Sequence, residues 1–222
     1  MVADFVPPCA CAADIGTDHG YLPVWLLQNG VIQSAIAADI HAGPLANARQ
    51  SAAAYDLEEH FRFVQADGLQ FSGAQAADVI TIAGMGGETI CAILAAAPWL
   101  QQQQGKQLVL QPQSKVPELT DWLWHNGFTI EDAALCRDAG KRYLALRVLG
   151  QTAAQTYTVE QLLLRRRDPL LPEHLKEEIR RQTRARAGMA HAKQTPTAEL
   201  AVINAQLLQL QACLKEVQTW QS

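Results

Sequence analysis

No stretch of this 222-residue chain approaches the ~20 consecutive apolar residues that cross a bilayer, and its N-terminus has no basic segment running into an apolar signal core. The expected address is therefore the cytoplasm, with no membrane partner. Cysteines are few and unpaired in pattern: five, at positions 9, 11, 91, 136 and 213, an odd number with no CxxC spacing. Cys9-Ala10-Cys11 has no histidine at ligand spacing, so buried reduced thiols are expected rather than a disulfide framework or a metal site. Longer-period repeats and low-complexity tracts are also absent; Gln101 to Gln104 reads as a short polar loop.

A further absence is more telling. Ala12-Ala13-Asp14-Ile15-Gly16-Thr17-Asp18-His19-Gly20-Tyr21-Leu22-Pro23 reads as strand, glycine turn and helix start, the arrangement that points free N–H groups at a ligand. A dinucleotide fingerprint needs GxGxxG, but here the spacing is GxxxG, with Asp18 in place of the second glycine. A carboxylate there would repel a pyrophosphate. It suits S-adenosylmethionine, which carries a sulfonium and an α-amino group and has no phosphate.

What is present is an ordinary globular composition, 49% hydrophobic and 18% charged, enough for one well-buried domain and an appendage. Charge is unevenly divided. Residues 1–150 hold 8 Lys and Arg against 15 Asp and Glu, whereas 151–222 hold 10 against 7. A basic appendage on an acidic domain suits a polyanionic partner.

Short apolar runs alternate with helical patterns through residue 125. Strands are expected at 10–15, 34–39, 61–65, 78–83 and 107–111, and helices at 21–29, from Pro44 to about Tyr55, from Glu88 to about Ala97 and at 115–125. Gly84-Met85-Gly86-Gly87 reads as a loop between the fourth strand and its helix. Phe128 to Cys136 and Arg142 to Leu149, joined by Asp138-Ala139-Gly140-Lys141, read as an antiparallel hairpin. The expected fold over 1–150 is α/β, a seven-stranded, mostly parallel, doubly wound sheet with its ligand at the carboxyl ends of the strands. Over 151–222 three helices are expected, beginning at Thr158, Leu171 and about Pro196. Leu200, Ile203, Leu207, Leu210, Leu214 and Val217 repeat at heptad spacing, which favours a helical hairpin or coiled coil, within one chain or between two.

Three successive strands end in carboxylates, Asp14, Asp39 and Asp67. For S-adenosylmethionine each has distinct work. Asp39 lies about 20 residues past the glycine loop, where a ribose diol is held. Asp67 is placed to accept from the adenine 6-amino group, and Asp14 to orient the loop or the methionine amine.

Asp14-Ile-Gly-Thr-Asp-His-Gly-Tyr-Leu-Pro23, Ile82-Ala-Gly-Met-Gly-Gly87 and Leu110-Gln-Pro112, followed by a helical tail, resemble the bacterial tRNA adenine-22 N1-methyltransferases over nearly the whole chain. The resemblance implies a class I, Rossmann-like methyltransferase domain joined to a coiled-coil domain, with S-adenosylmethionine as cofactor and tRNA as partner. It places Gly16 and Asp18 in the cofactor loop, Asp39 on the ribose, Asp67 and Gly68 by the cofactor adenine, and Gly84, Met85, Gly86 and Gly87 along the site. It also implies a helix ahead of the first strand, where this sequence has only Met1 to Pro8.

Adenine N1 is a neutral ring nitrogen with a free lone pair. Its methylation needs alignment and stabilisation of developing positive charge more than a strong base. Asp18, accepting from the target amino group, and His19, orienting it or accepting a proton, are the catalytic candidates. Tyr21 either stacks on the flipped base or packs into the core at the helix start. The (Asn/Asp)-Pro-Pro-aromatic loop of amino-directed methylation is missing after the fourth strand, which favours ring-nitrogen chemistry. N1 lies on the pairing edge, so the nucleotide must be extruded. Arg165, Arg166 and Arg167, with Arg180, Arg181, Arg184 and Arg186, are candidate phosphate contacts. A small-molecule methyltransferase with the tail as lid or dimer element, and a cofactor-binding scaffold without turnover, are the competing readings.

Overall fold

The computed structural model of the chain describes residues 1–103, 105–150, 157–190 and 197–221. Seven strands form one sheet: β1 (Cys9–Ile15), β2 (Ile32–Asp39), β3 (Phe61–Gln65), β4 (Val79–Gly86), β5 (Gln107–Ser114), β6 (Phe128–Asp138) and β7 (Lys141–Gly150), in the order β3-β2-β1-β4-β5-β7-β6. β1 to β5 pair in parallel, and β7 runs antiparallel to both β5 and β6. Ala139 and Gly140 both take positive φ, 46° and 76°, the turn that a two-residue hairpin requires. Helices α1 (Tyr21–Gln28), α2 (Ala42–Ala54) and α3 (Gly87–Ala95) join β1 to β2, β2 to β3 and β4 to β5, and α4 (Val116–His125) leads from β5 to β6.

The interior strands are apolar because helices cover both faces of such a sheet. Ile80, Ile82, Leu108 and Leu110 are fully buried, and Phe5 and Val6, from the segment ahead of β1, join Leu26, Ile32, Val79 and Val109 in the core. That segment forms a single 3-10 turn, Ala3–Phe5. From β1 the chain winds outward to β2 and β3, then crosses back to β4. The carboxyl ends of β1 and β4 therefore flank the reversal of strand order, where such sheets bind ligands.

One boundary differs from expectation. β4 continues through Gly86 and β5 through Ser114, with Met85 opposite Pro112 and Gly86 opposite Ser114 across register shifts. In a sequence, glycines signal loops. Here they allow irregular pairing to continue, so the expected Gly84–Gly87 loop is a bulged strand end, and α3 starts at Gly87.

The chain divides into two compact units, the second beginning at Tyr157. The expected boundary after Gly150 and the expected helix start at Pro196 fall at 151–156 and 196, outside the described residues. The second unit contains α5 (Val159–Arg166), α6 (Leu171–Ala190) and α7 (Thr197–Gln218). Thr158 and Gln161 close a capping box at the start of α5, with the Gln161 N–H donating to Thr158 Oγ1 at 3.3 Å and the Thr158 N–H to Gln161 Oε1 at 2.9 Å. α7 buries Ile203, Leu207, Leu210, Cys213 and Val217, so Cys213 takes the inward place expected of Leu214. α5 packs on both longer helices, which makes this a three-helix unit rather than a bare hairpin. No helix among the described residues is long and apolar enough to cross a membrane, and all five cysteines are free thiols.

Candidate active site

The site is built from the carboxyl end of β1 upward. Asp14 lies opposite Ala37 of β2 and Thr81 of β4, enclosed by strands on both sides. Asp14 is only 7% exposed, and Thr81 Oγ1 donates to Asp14 Oδ1 at 2.6 Å, a distance typical of a charge-assisted bond. Burial pushes the Asp14 pKa up; the Thr81 hydroxyl opposes this, and the nearby Asp39 charge adds to it. Thr17 Oγ1, also buried, lies near the Asp14 carboxyl but makes no hydrogen bond of ordinary geometry among the described residues.

Past Asp14 the backbone folds over the end of β2, with Gly16 and Thr17 N–H groups donating to Ala38 O at 2.8 and 3.1 Å. Asp18 follows with φ of 49° and an outward carboxylate. His19 Nε2 is 3.8 Å from Asp18 Oδ1, and the His19 ring stacks on Tyr21 with centroids 5.2 Å apart and planes 9° from parallel. Tyr21 is 66% exposed. The core-packing alternative for this tyrosine is therefore wrong, because the first residue of α1 faces away from the sheet. All three catalytic candidates sit together on one exposed loop and helix start.

At the end of β2, Asp39 Oδ1 accepts from the His41 N–H at 2.9 Å, an Asx-type turn that fixes the carboxylate at the strand tip. Asp67 and Gly68 form the turn after β3; Asp67 is exposed, and Gly68 packs against Ile93 of α3. On the opposite wall Met85 lays its thioether end over Gly16, where any side chain would collide with it. Gly84 has φ of 79°, a backbone that L side chains rarely adopt, and its N–H donates to Gln111 Oε1 at 3.0 Å. Gln111 is buried, and its Nε2 donates to Pro112 O at 3.1 Å. Gly87 is needed for a different reason: a Cβ there would run into the Ser114 and Lys115 carbonyl oxygens.

Residues 1–146 match the family described as "Methyltransferase domain". The curated Bacillus subtilis tRNA (adenine(22)-N(1))-methyltransferase is 37% identical over 146 residues, 65% of this chain. A crystal structure of the B. subtilis M1A22 tRNA methyltransferase TrmK matches with a TM-score of 0.80 at 26% identity, covering 96% of this chain and 95% of that one. The chain belongs to the tRNA (adenine-22-N1)-methyltransferase family. In the curated comparison it spans 60% of the B. subtilis enzyme's length. The Streptococcus pneumoniae protein Sp1610, solved in complex with S-adenosyl-L-methionine, is 30% identical and matches with a TM-score of 0.76 over 96% of each chain.

In this member of the tRNA (adenine-22-N1)-methyltransferase family the candidate arginines are all exposed and lie on α5, at its C-terminal cap and on α6. Arg165 stacks over Tyr157 at 4.6 Å, Arg181 pairs with Glu178 at 2.6 Å, and Arg186 reaches Asn204 at 3.4 Å. Arg184 Nε donates to the Arg180 carbonyl at 3.4 Å, and Arg167 ends α5 with φ of 54°. Among the described residues no cluster of three or more His, Cys, Asp or Glu could hold a metal ion.

Two residues of the site have no role assigned from the sequence: Thr81, which lies in no motif, and Gln111, which lies in Leu110-Gln-Pro112. Thr81 is a polar residue inside the apolar run Val79 to Ala83, and Gln111 follows an equally apolar one. A lone hydrogen-bonding side chain in a buried strand is the signal that would have found both.

Proposed function

We propose that this chain transfers the methyl group of S-adenosylmethionine to N1 of adenine 22 in tRNA. The observation that carries this reading is the buried acid at the β1/β4 reversal, in a chain whose family is named for that reaction. The site's chemistry fits the cofactor. Asp14 offers a carboxylate to a cationic amine, the Thr17 hydroxyl is buried without a hydrogen-bond partner among the described residues, and the Gly84 backbone leaves room beside it. A pyrophosphate would meet the wrong charge.

On this reading Asp14 and Gly16 hold the methionine end, Asp39 the ribose diol, Asp67 and Gly68 the adenine, and Gly84, Met85 and Gly86 the opposite wall. When bound, S-adenosylmethionine supplies an electrophilic methyl group on sulfur. The chain's own work is to present N1 in line and to offset the positive charge that arrives on the base. Asp18 accepts from the target 6-amino group and supplies that negative charge. His19, beside it, orients the carboxylate, and Tyr21 stacks on the extruded base, which every adenine presents as a π-face. Exposed arginines of α5 and α6 contact tRNA phosphates and fix the register without reading sequence. A tRNA substrate puts this work in the cytoplasm.

Primer extension on unmodified tRNA tests the reading directly. After incubation with the protein and S-adenosylmethionine, reverse transcription is expected to stop at position 22, because N1 methylation blocks pairing; omitting the cofactor removes the stop. Full-length copying of every tRNA offered, with cofactor present, would overturn it.

A further inference from the structure

The tip of β5 carries two glutamines two residues apart, in opposite circumstances. Gln111 is buried with both amide atoms engaged, by Gly84 N–H and Pro112 O. Gln113 is exposed, and its side chain makes no hydrogen bond among the described residues. Its Nε2 lies 3.8 Å from the point where a Cβ on Gly84 would stand. Since Pro112 is opposite Met85 and Ser114 opposite Gly86, this free amide belongs to the same rim as the glycine segment of β4. Gly84 holds φ of 79°, so the space beside the amide stays clear of any side chain from that position.

We propose that Gln113 identifies the target base, pairing its amide with the N6–N7 edge of adenine; the inference rests on the methylation proposed above. A base alkylated at N1 must turn its pairing edge toward the methyl donor, which leaves the opposite, N6–N7 edge open to be read by the protein. On that side adenine shows an amino donor and the N7 acceptor, the pattern a glutamine amide matches with two parallel hydrogen bonds. Guanine shows two acceptors there, and the amide oxygen would face O6. The amino group has two hydrogens. Gln113 takes the one beside N7 and leaves the one beside N1 to Asp18, so the two residues do not compete. Gln111 is the positioning residue beneath, holding the Gly84 backbone on which the slot depends.

A two-by-two comparison separates this inference from the reading it rests on. Wild type and Gln113→Leu are each assayed on tRNA bearing adenine or 7-deazaadenine at position 22, which lacks only the N7 acceptor. The expected result is that wild type loses about fivefold or more in kcat/KM on the 7-deaza substrate, whereas Gln113→Leu is slow on both and no slower on the second. Cofactor affinity by calorimetry should be the same in both proteins, as befits an exposed side chain. An equal 7-deaza penalty in both proteins, or none in wild type, overturns the role of Gln113 while leaving the methylation intact. A wild-type protein that does not methylate adenine-22 tRNA at all overturns the methylation itself, and this role with it.

Discussion

Asp14→Asn separates two effects of one carboxylate. In the free protein Asp14 is enclosed, accepts a short hydrogen bond from Thr81 and faces the charge of Asp39, and its pKa is raised. Between the ordinary aspartate range and that raised value, the folded state binds more protons than the unfolded one. Stability therefore falls as pH rises through this window, and stays lowered above it. Asparagine removes the charge and keeps an oxygen for Thr81. Each pKa unit of displacement corresponds to about 1.4 kcal/mol recovered at neutral pH. Against this, replacing a charged hydrogen bond by a neutral one costs roughly 1 kcal/mol. The expected melting temperature at pH 7.5 is thus equal to or above wild type, by about 2–4 °C for each net kcal/mol in a chain of this size.

Cofactor binding should move the opposite way. Loss of a charge-assisted bond to the methionine amine removes about 1.5–3 kcal/mol, roughly 10- to 150-fold in Kd by calorimetry. Thr81→Val provides the complementary arm: it strips the buried carboxylate of its donor, costs about 1–3 kcal/mol at pH 7.5, and should cost much less in the Asp14→Asn background. Thermal melts from pH 4 to 8.5 on the four proteins read the cycle. If Asp14→Asn destabilised more at pH 7.5 than at pH 4.5, the carboxylate would be stabilising where it sits, and the reasoning from burial would fail.

Gly87→Ala places a Cβ against two carbonyl oxygens of the β5–α4 junction; backbone cannot step aside as a side chain would, so urea unfolding should show a loss of about 1–3 kcal/mol. Tyr21→Ala should reduce kcat/KM for tRNA about tenfold or more through weaker stacking while Tyr21→Phe stays near wild type, and neither should shift the melting temperature, since the ring is exposed. Arg180→Gln with Arg184→Gln should weaken tRNA binding and lower the slope of log K against log salt by about 0.7–0.9 for each phosphate no longer neutralised, with cofactor affinity unchanged; an unaltered slope would remove α6 from the interface.

Strand positions and the βα alternation were legible because apolar runs, glycine turns and caps are local signals. The three strand-end aspartates were legible as positions but not as equals. Asp14 ends a strand flanked by β2 and β4 and is buried; Asp39 ends β2 and is half-buried, tied to the His41 N–H; Asp67 follows β3, the sheet edge, and is exposed. Depth follows from strand order, which no local pattern states. The same holds for Thr81 and Gln111. Thr81 meets Asp14 across 67 residues of chain and Gln111 meets Gly84 across 27, so neither hydrogen bond has a short-range signature.

The glycine segment shows what that separation hides. Gly84, Met85 and Gly86 suggest a loop when taken alone, because nothing in them pairs with a neighbour in sequence. Once Gln111 accepts from Gly84 N–H, the strand can bulge while that donor keeps a partner. The bulge then turns Met85 over Gly16 and leaves the space beside Gln113 clear. If Gln111 sets this geometry, Gln111→Met, which keeps the volume and loses both hydrogen bonds, should lower kcat on tRNA far more than Gln111→Glu, which keeps an acceptor for Gly84. Equal losses in the two variants would mean that β4 holds its bulge without help from β5.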